Sequence, residues 1–346
     1  MVVSSLADLF QSVIVPRSVG GSWRPSAVLA RYGWRMWRDR ALGIADQERR
    51  EDTLAVFAPT FMVTLLIYWV ASQAVGYGAL FWALGAGLST QPGVFEAIYF
   101  AGTSMLTIGY GDIVPVHWYT RTLAIISAGG GLTTFAVVTT FLFQTFGAFQ
   151  KREAFVATIS VRTGAPPSGL EFIMRHVSLG LTSDISPILR ESQQWIAEVL
   201  ETHLAYPVLA YFRSSHDDES WVGTLGALLD ASTLLITTLE LGNRGQAELT
   251  SQIGTHLVRD FSSFFRLPAG DAAGVEYDEF VTAYRQLREL GAPLRALEDA
   301  WPAFREQRAT YAAPLDDMAR WWRIPPARWI GDRSRVRVHV NVGVPR

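Results

Sequence analysis

A chain of 346 residues, 49% hydrophobic with a net charge of −2, is long enough for a membrane portion plus one soluble domain. That charge balance leaves nothing to suggest nucleic acid as a partner. The absence of cysteine excludes disulfides, thiolate metal sites and cysteine nucleophiles. Lys151 is the single lysine beside 29 arginines, a bias of genome composition rather than of function.

Residues 1–52 carry eight arginines and read as a cytoplasmic segment. They lack a positively charged start and a small-residue cleavage pattern, so no signal peptide is expected. On a helical wheel Arg31, Arg35 and Arg38 share one stripe, with Ala30, Trp34, Trp37 and Ala41 beside it. Such a helix suits the headgroup region, with arginine on anionic lipid phosphates and indole at the interface. A juxtamembrane helix packed on protein is the alternative.

No charged residue occurs from Thr53 to Phe95. Residues 54–76 supply the roughly 20 apolar positions that a span requires, and Pro59 lies near the start, where it is tolerated best. Residues 76–93 are expected to form a turret. Residues 94–106 are too short to cross, so they predict a helix that enters the membrane and turns back, its negative dipole end toward the centre. Glu96 is a favourable charge at its N-terminal end.

Residues 107–112 then spell Thr-Ile-Gly-Tyr-Gly-Asp. A dehydrated cation needs rings of oxygen dipoles in place of its water shell, and backbone carbonyls supply them when several chains surround one axis. Successive carbonyls face one axis only if the backbone alternates between ordinary and positive φ, which Gly109 and Gly111 reach without penalty. Thr107 adds a hydroxyl ring, Ile108 and Tyr110 wedge outward, and Asp112 places negative charge at the mouth. The other Gly-Tyr-Gly, residues 76–78, lacks the flanking Thr and Asp and reads as the end of a span.

A second span is predicted over 119–149. Gly129, Gly130 and Gly131 inside it cost about 1 kcal/mol each relative to alanine. They serve either as a hinge or as a small-residue packing face. With Gly131 facing the axis, Phe135, Thr139, Leu142 or Phe143, and Phe146 fall on the same face. Rings of Phe143 or Phe146 could close a channel by dewetting; the alternative is that these rings face lipid. Arg49 and Arg50 precede the spans, Lys151 and Arg152 follow them, and none lies between until Arg121. Both flanks should be inside and the mouth at Asp112 outside.

In the remainder, 151–346, Gly164-Ala165-Pro166-Pro167-Ser168 marks a stop. Helical periods follow at 185–204, 221–241, 246–265, 277–290 and 294–322, predicting an all-helical cytoplasmic domain. Residues 221–241 are also long enough for a third span, against which Asp230 costs about 2.5–3.5 kcal/mol; a buried core helix is favoured. The alternation Val336, Val338, Val340, Val342 suits a half-buried strand or a tail. His216, Asp217, Asp218 and Glu219 read as a solvated loop rather than a cation site. No EF-hand, P-loop, Gly-x-Ser-x-Gly or His-Glu-x-x-His pattern occurs.

The 107–112 run and its flanking helices, residues 54–149, resemble the pore module of prokaryotic two-transmembrane-helix potassium channels. The resemblance implies an all-α membrane protein: pore domain 53–150, outer helix 54–76, re-entrant pore helix 94–106, selectivity filter 107–112, inner helix 119–149, and helical domain 151–346. It implies K⁺ held by oxygens of Thr107, Ile108, Gly109 and Tyr110, with Gly111 and Asp112 finishing the mouth. It further implies a homotetramer with three further copies of the chain, a multi-pass protein of the inner (plasma) membrane, both termini cytoplasmic, no organic cofactor and no enzymatic activity. Thr103 stands where some such channels carry a glutamate bonded to the mouth aspartate, so that brace is missing and Na⁺ leakage is an alternative outcome. No arginine ladder marks a voltage sensor, and the second half lacks a Rossmann fingerprint. The expected function is passive K⁺ permeation, with 151–346 assembling or gating the tetramer. The alternative makes the second half a ligand-sensing receptor or enzyme whose output is the pore.

Overall fold

A computed structural model describes residues 1–13, 25–214, 218–269, 274–324 and 326–330. Among the described residues the fold is all helical, with isolated bridges and no named strand. The chain divides into unit 1, Met1–Ala148 with Ala205–Phe212, and unit 2, Phe149–Leu204 with Arg213–Arg346.

Unit 1 is built on two helices long and apolar enough to cross a membrane, α4 (Phe57–Ala83) and the first part of α6 (Trp118–Thr163). Before them come α1 (Val2–Val13), α2 (Pro25–Leu42) and α3 (Gln47–Ala55). Between them α5 (Val94–Met105) packs on α4 around a core of Tyr77, Phe81, Leu88, Ala97, Phe100, Ala101 and Met105. Phe81 and Phe100 meet edge to face, 4.8 Å between centroids.

The outer helix does not stop at 76 and no turret begins there: α4 runs on to Ala83. The reason is close packing at the glycines. A Cβ on Gly78 would stand 2.6 Å from Ile98 Cγ1, and one on Gly76 would stand 2.6 Å from Val2 Cγ2. Small residues here let α5 and α1 approach the helix backbone.

Residues 1–52 also do more than form one interfacial helix. α1 lies along α4, where Asp8 accepts hydrogen bonds from Trp69 Nε1 (2.9 Å), Ser26 Oγ (2.7 Å) and the Ser26 amide (3.3 Å). In α2, Trp34 is buried against Phe57 at 5.0 Å, while Arg35 is exposed.

In unit 2, α9 (Trp221–Thr237) is buried along all 17 residues. It is a core helix, packed by α7 (Gly169–Ser178), α10 (Arg244–Phe265), α12 (Leu297–Ala309) and α13 (Ala312–Trp322). Asp230, the charge that opposed a third span, is wholly buried and accepts from Arg308 Nε (3.0 Å) and the Tyr311 hydroxyl (2.7 Å). α8 (Ile185–Ala205) and α11 (Tyr277–Glu289) complete the unit. The stretch 294–322 is two helices rather than one, because the break at Thr310 and Tyr311 turns the Tyr311 phenol into the core to reach Asp230. α7 escapes the periodicity reading, although Ser168 caps it by accepting from the Glu171 amide. Residues 331–346, including Val336–Val342, and His216 and Asp217 lie outside the described residues.

Candidate functional site

α5 ends at Met105 and the chain leaves it through two tight bonds, Thr107 N to Ser104 O (3.1 Å) and Ile108 N to Thr103 O (2.8 Å). From there the backbone alternates: φ is 55° at Thr107, 60° at Gly109 and 81° at Gly111, with Ile108 and Tyr110 in the ordinary region between. The alternation expected at two glycines therefore begins one step earlier. Thr107 occupies the left-handed region despite its branched side chain, at a cost on the order of 1–3 kcal/mol. Among the described residues, nothing donates a hydrogen bond to the carbonyls of Thr107, Ile108, Gly109 or Tyr110. Residues 107–112 are all exposed within the single chain. Four successive carbonyls without partners would be costly at membrane depth unless an ion or water meets them.

The surroundings hold this loop at both ends. Gly93 N donates to Glu96 Oε2 (2.8 Å), closing the start of α5, where that carboxylate also meets the positive end of the helix dipole. Beyond Asp112, Leu88 bridges Pro115, Val116 N donates to Gly87 O (2.8 Å), and Thr120 Oγ1 donates to the same carbonyl (2.7 Å). The Thr103 hydroxyl turns back to Phe100 O (3.0 Å) and does not brace Asp112. Tyr99 is the group beside it: its phenol interacts electrostatically with the Asp112 carboxylate, and its ring stacks parallel to Tyr110 at 6.5 Å and 3°. Sequence reasoning missed Tyr99. The available signal was an aromatic residue one helical turn before Thr103.

On α6 the glycines separate. A Cβ on Gly131 would stand 2.2 Å from the Met105 carbonyl oxygen and one on Gly130 would stand 3.0 Å from the Tyr77 hydroxyl, whereas Gly129 meets nothing within 4 Å. Gly130 and Gly131 are thus packing positions, and Gly131 is not on the open face. The open face starts at Leu132 (62% exposed) and continues through Phe135 (70%), the half-buried Thr139, Phe143 (75%) and Phe146 (54%). Thr134, Val138, Phe141 and Thr145, all buried, form the other side. Leu142 is exposed beside the stripe. Gln73 and Thr134 exchange hydrogen bonds of 2.9 and 3.2 Å and tie α4 to α6. Among the described residues no cluster of three or more metal-ligating side chains occurs.

Comparison with known proteins bears on this segment directly. The "Ion channel" family model matches residues 61–148, from within α4 through the 107–112 loop to α6. Residues 61–148 are an ion-channel domain. Over 98 residues, 28% of the chain, the protein is 36% identical to the "Voltage-gated potassium channel Kch" of Escherichia coli (strain K12), covering 22% of that protein. Over 186 residues, 52% of the chain, it is 23% identical to the "Uncharacterized membrane protein YdjJ" of Bacillus subtilis (strain 168), covering 54% of it. The chain thus spans at most about half the length of these relatives. No solved structure matches. The family match, together with the two helices long and apolar enough to cross a membrane, supports a pore-loop ion-channel domain and a membrane location.

Proposed function

We propose that the protein is a K⁺-selective channel that conducts passively as a homotetramer, gated or assembled by unit 2. The observation that carries this reading is the loop itself: φ alternates at Thr107, Gly109 and Gly111 while four consecutive carbonyls stand without hydrogen-bond donors. One chain supplies one wall of a coordination column, so four copies around an axis complete it. K⁺ is the permeant ion, met by the oxygens of Thr107, Ile108, Gly109 and Tyr110, with Gly111 and Asp112 at the outer mouth. The open stripe of α6, from Leu132 to Phe146, is the surface that faces that axis, and Phe143 and Phe146 are its narrowest rings. The arginine-rich flanks argue for unit 2 on the cytoplasmic side of the inner membrane, and Arg31, Arg35 and Arg38 meet anionic headgroups.

The test is ion flux into liposomes holding the full chain under matched K⁺ and Na⁺ gradients. Uptake driven by K⁺ and not by Na⁺ supports the reading. Equal uptake of both ions, or none from correctly inserted protein, removes it.

A further inference from the structure

Eight residues, from the last residue of α8 toward α9, belong to unit 1 and not to unit 2. The chain leaves unit 2 after Leu204, contributes Ala205–Phe212 to unit 1, and re-enters unit 2 at Arg213. This insert is a short 3-10 turn, Pro207–Tyr211, in which Val208, Leu209, Ala210 and Tyr211 are buried. Proline at its start fixes φ and makes the turn stiff.

Its two tyrosines contact different helices of unit 1. Tyr211 packs between Trp34 of α2 (5.2 Å, 58°) and Phe57 at the start of α4 (5.5 Å, 63°), and Trp34 and Phe57 also touch each other. That end is a three-ring anchor on the outer helix. Tyr206 reaches the other span: its ring lies against Phe141 (5.7 Å, 61°) and its hydroxyl donates to Gln144 Oε1 on α6. Gln144 directly follows Phe143, one of the exposed rings of the open stripe. Any bend or rotation of α6 between Gly131 and Gln144 must either carry Tyr206 along or break its bond. Because the turn is stiff and anchored at Tyr211, carrying it along strains the Trp34–Phe57 contact.

We propose that the Ala205–Phe212 insert is the latch through which the helical unit acts on the inner helix, with Tyr211 as its fixed anchor and the Tyr206–Gln144 bond as its release point. The proposal rests on the channel reading above. Movement of α8 or α9 pulls on an element whose far end is bonded beside the Phe143 ring.

The experiment is a double-mutant cycle on the full chain in liposomes, with Tyr206→Phe, Gln144→Leu and the pair, each normalised to inserted protein. Tyr206→Phe keeps the ring on Phe141 and removes only the hydroxyl. The latch requires both single variants to shift K⁺ flux in the same direction, by roughly 2- to 12-fold per bond lost, the scale of one net hydrogen bond. It also requires the double variant to go no further than either single. Unchanged flux in both singles, shifts of opposite sign, or additive effects in the pair overturn the latch. The K⁺ preference of all four proteins stays constant, since the filter loop is untouched. A wild-type protein without K⁺ preference would refute the channel reading; a selective wild type with an additive cycle would refute the latch alone.

Discussion

Gly131 of α6 lies against the Met105 carbonyl at the end of α5, so close that a Cβ would stand 2.2 Å from that oxygen and 2.8 Å from Met105 Cα. Backbone cannot retreat as a flexible side chain can, so Gly131→Ala must push α6 off the base of the 107–112 loop. Gly129 has open space around it. Gly129→Ala should therefore gain helix propensity, about 1 kcal/mol, and leave flux intact, while Gly131→Ala should lose both stability and K⁺ flux. Thermal unfolding and liposome flux of the two variants check this. Loss of flux in Gly129→Ala with normal stability would restore the hinge reading for that position.

Gly109 offers the complementary case. Nothing lies within 4 Å of a Cβ there, but φ is +60°. Gly109→Ala meets no clash and carries only a conformational cost, about 1–2 kcal/mol, so the protein should fold and insert. The loop relaxes by turning its carbonyl out of line, and K⁺ preference over Na⁺ should collapse. Reversal potentials under K⁺ and Na⁺ gradients measure it; an unchanged preference would remove residues 107–110 as the coordinating column.

The Tyr99 interaction predicts a finer effect at the same site. Tyr99→Phe preserves the stack on Tyr110 but deletes the hydroxyl that meets Asp112. The mouth carboxylate loses a neighbouring phenol. K⁺ currents of the variant should decline during sustained conduction, faster than in wild type. Identical time courses would show that Asp112 is held by other groups.

What could be read from the sequence divides along physical lines. The Thr107–Asp112 loop was legible because its backbone demands glycine at fixed spacing, and the two spans because long uncharged runs have few other uses. Helix ends were not legible where a glycine served a neighbour: Gly76 and Gly78 read as a stop, yet they continue α4 because Val2 and Ile98 press on them. The choice between hinge and packing at Gly130 and Gly131 also depends on partners distant in sequence, Tyr77 and Met105. Asp230 read correctly as a charge too costly for lipid. Its actual partners, Arg308 and Tyr311, lie 78 and 81 residues away, and no local pattern points to them. Tyr99 was missed because its role depends on the fold-back of the loop after α5.

The position of α1 makes a prediction suited to a chain without cysteine. α1 contacts α4 from Trp69 to Gly76, about 18–28 Å along the helix from Phe57; with α4 entering the bilayer at Phe57, that contact falls inside a hydrocarbon core of about 30 Å. Asp8 holds it there through Trp69 and Ser26. A cysteine introduced as Ser4→Cys should resist charged maleimide from either side of intact vesicles, whereas Arg49→Cys should react. Adding Asp8→Ala leaves the Trp69 and Ser26 donors without their acceptor, about 1–3 kcal/mol, and should make position 4 reactive. Rapid labelling of Ser4→Cys in the otherwise wild-type chain would place α1 in water.

The last prediction concerns pH. Arg152 Nη1 lies 3.1 Å from His203 Nε2, so the guanidinium donates and the neutral ring carries its proton on Nδ1, toward the Val199 carbonyl. Burial first, and the Arg152 charge second, hold His203 well below its ordinary value of 6.5. Glu153 is bound to the same guanidinium at 2.8 Å, while Trp221 and Phe261 face the ring without charge. For a base with a lowered folded pKa, the unfolded chain takes up a proton that the folded chain refuses. Stability is therefore full above about pH 6.5 and is lost as pH falls below it, by at most about 1.4 kcal/mol per pH unit from this group. Unfolding of the full chain between pH 7.5 and 5.5 should show the decline, and His203→Gln, whose amide oxygen still accepts from Arg152, should flatten it. An equal slope in wild type and His203→Gln would assign the acid sensitivity elsewhere.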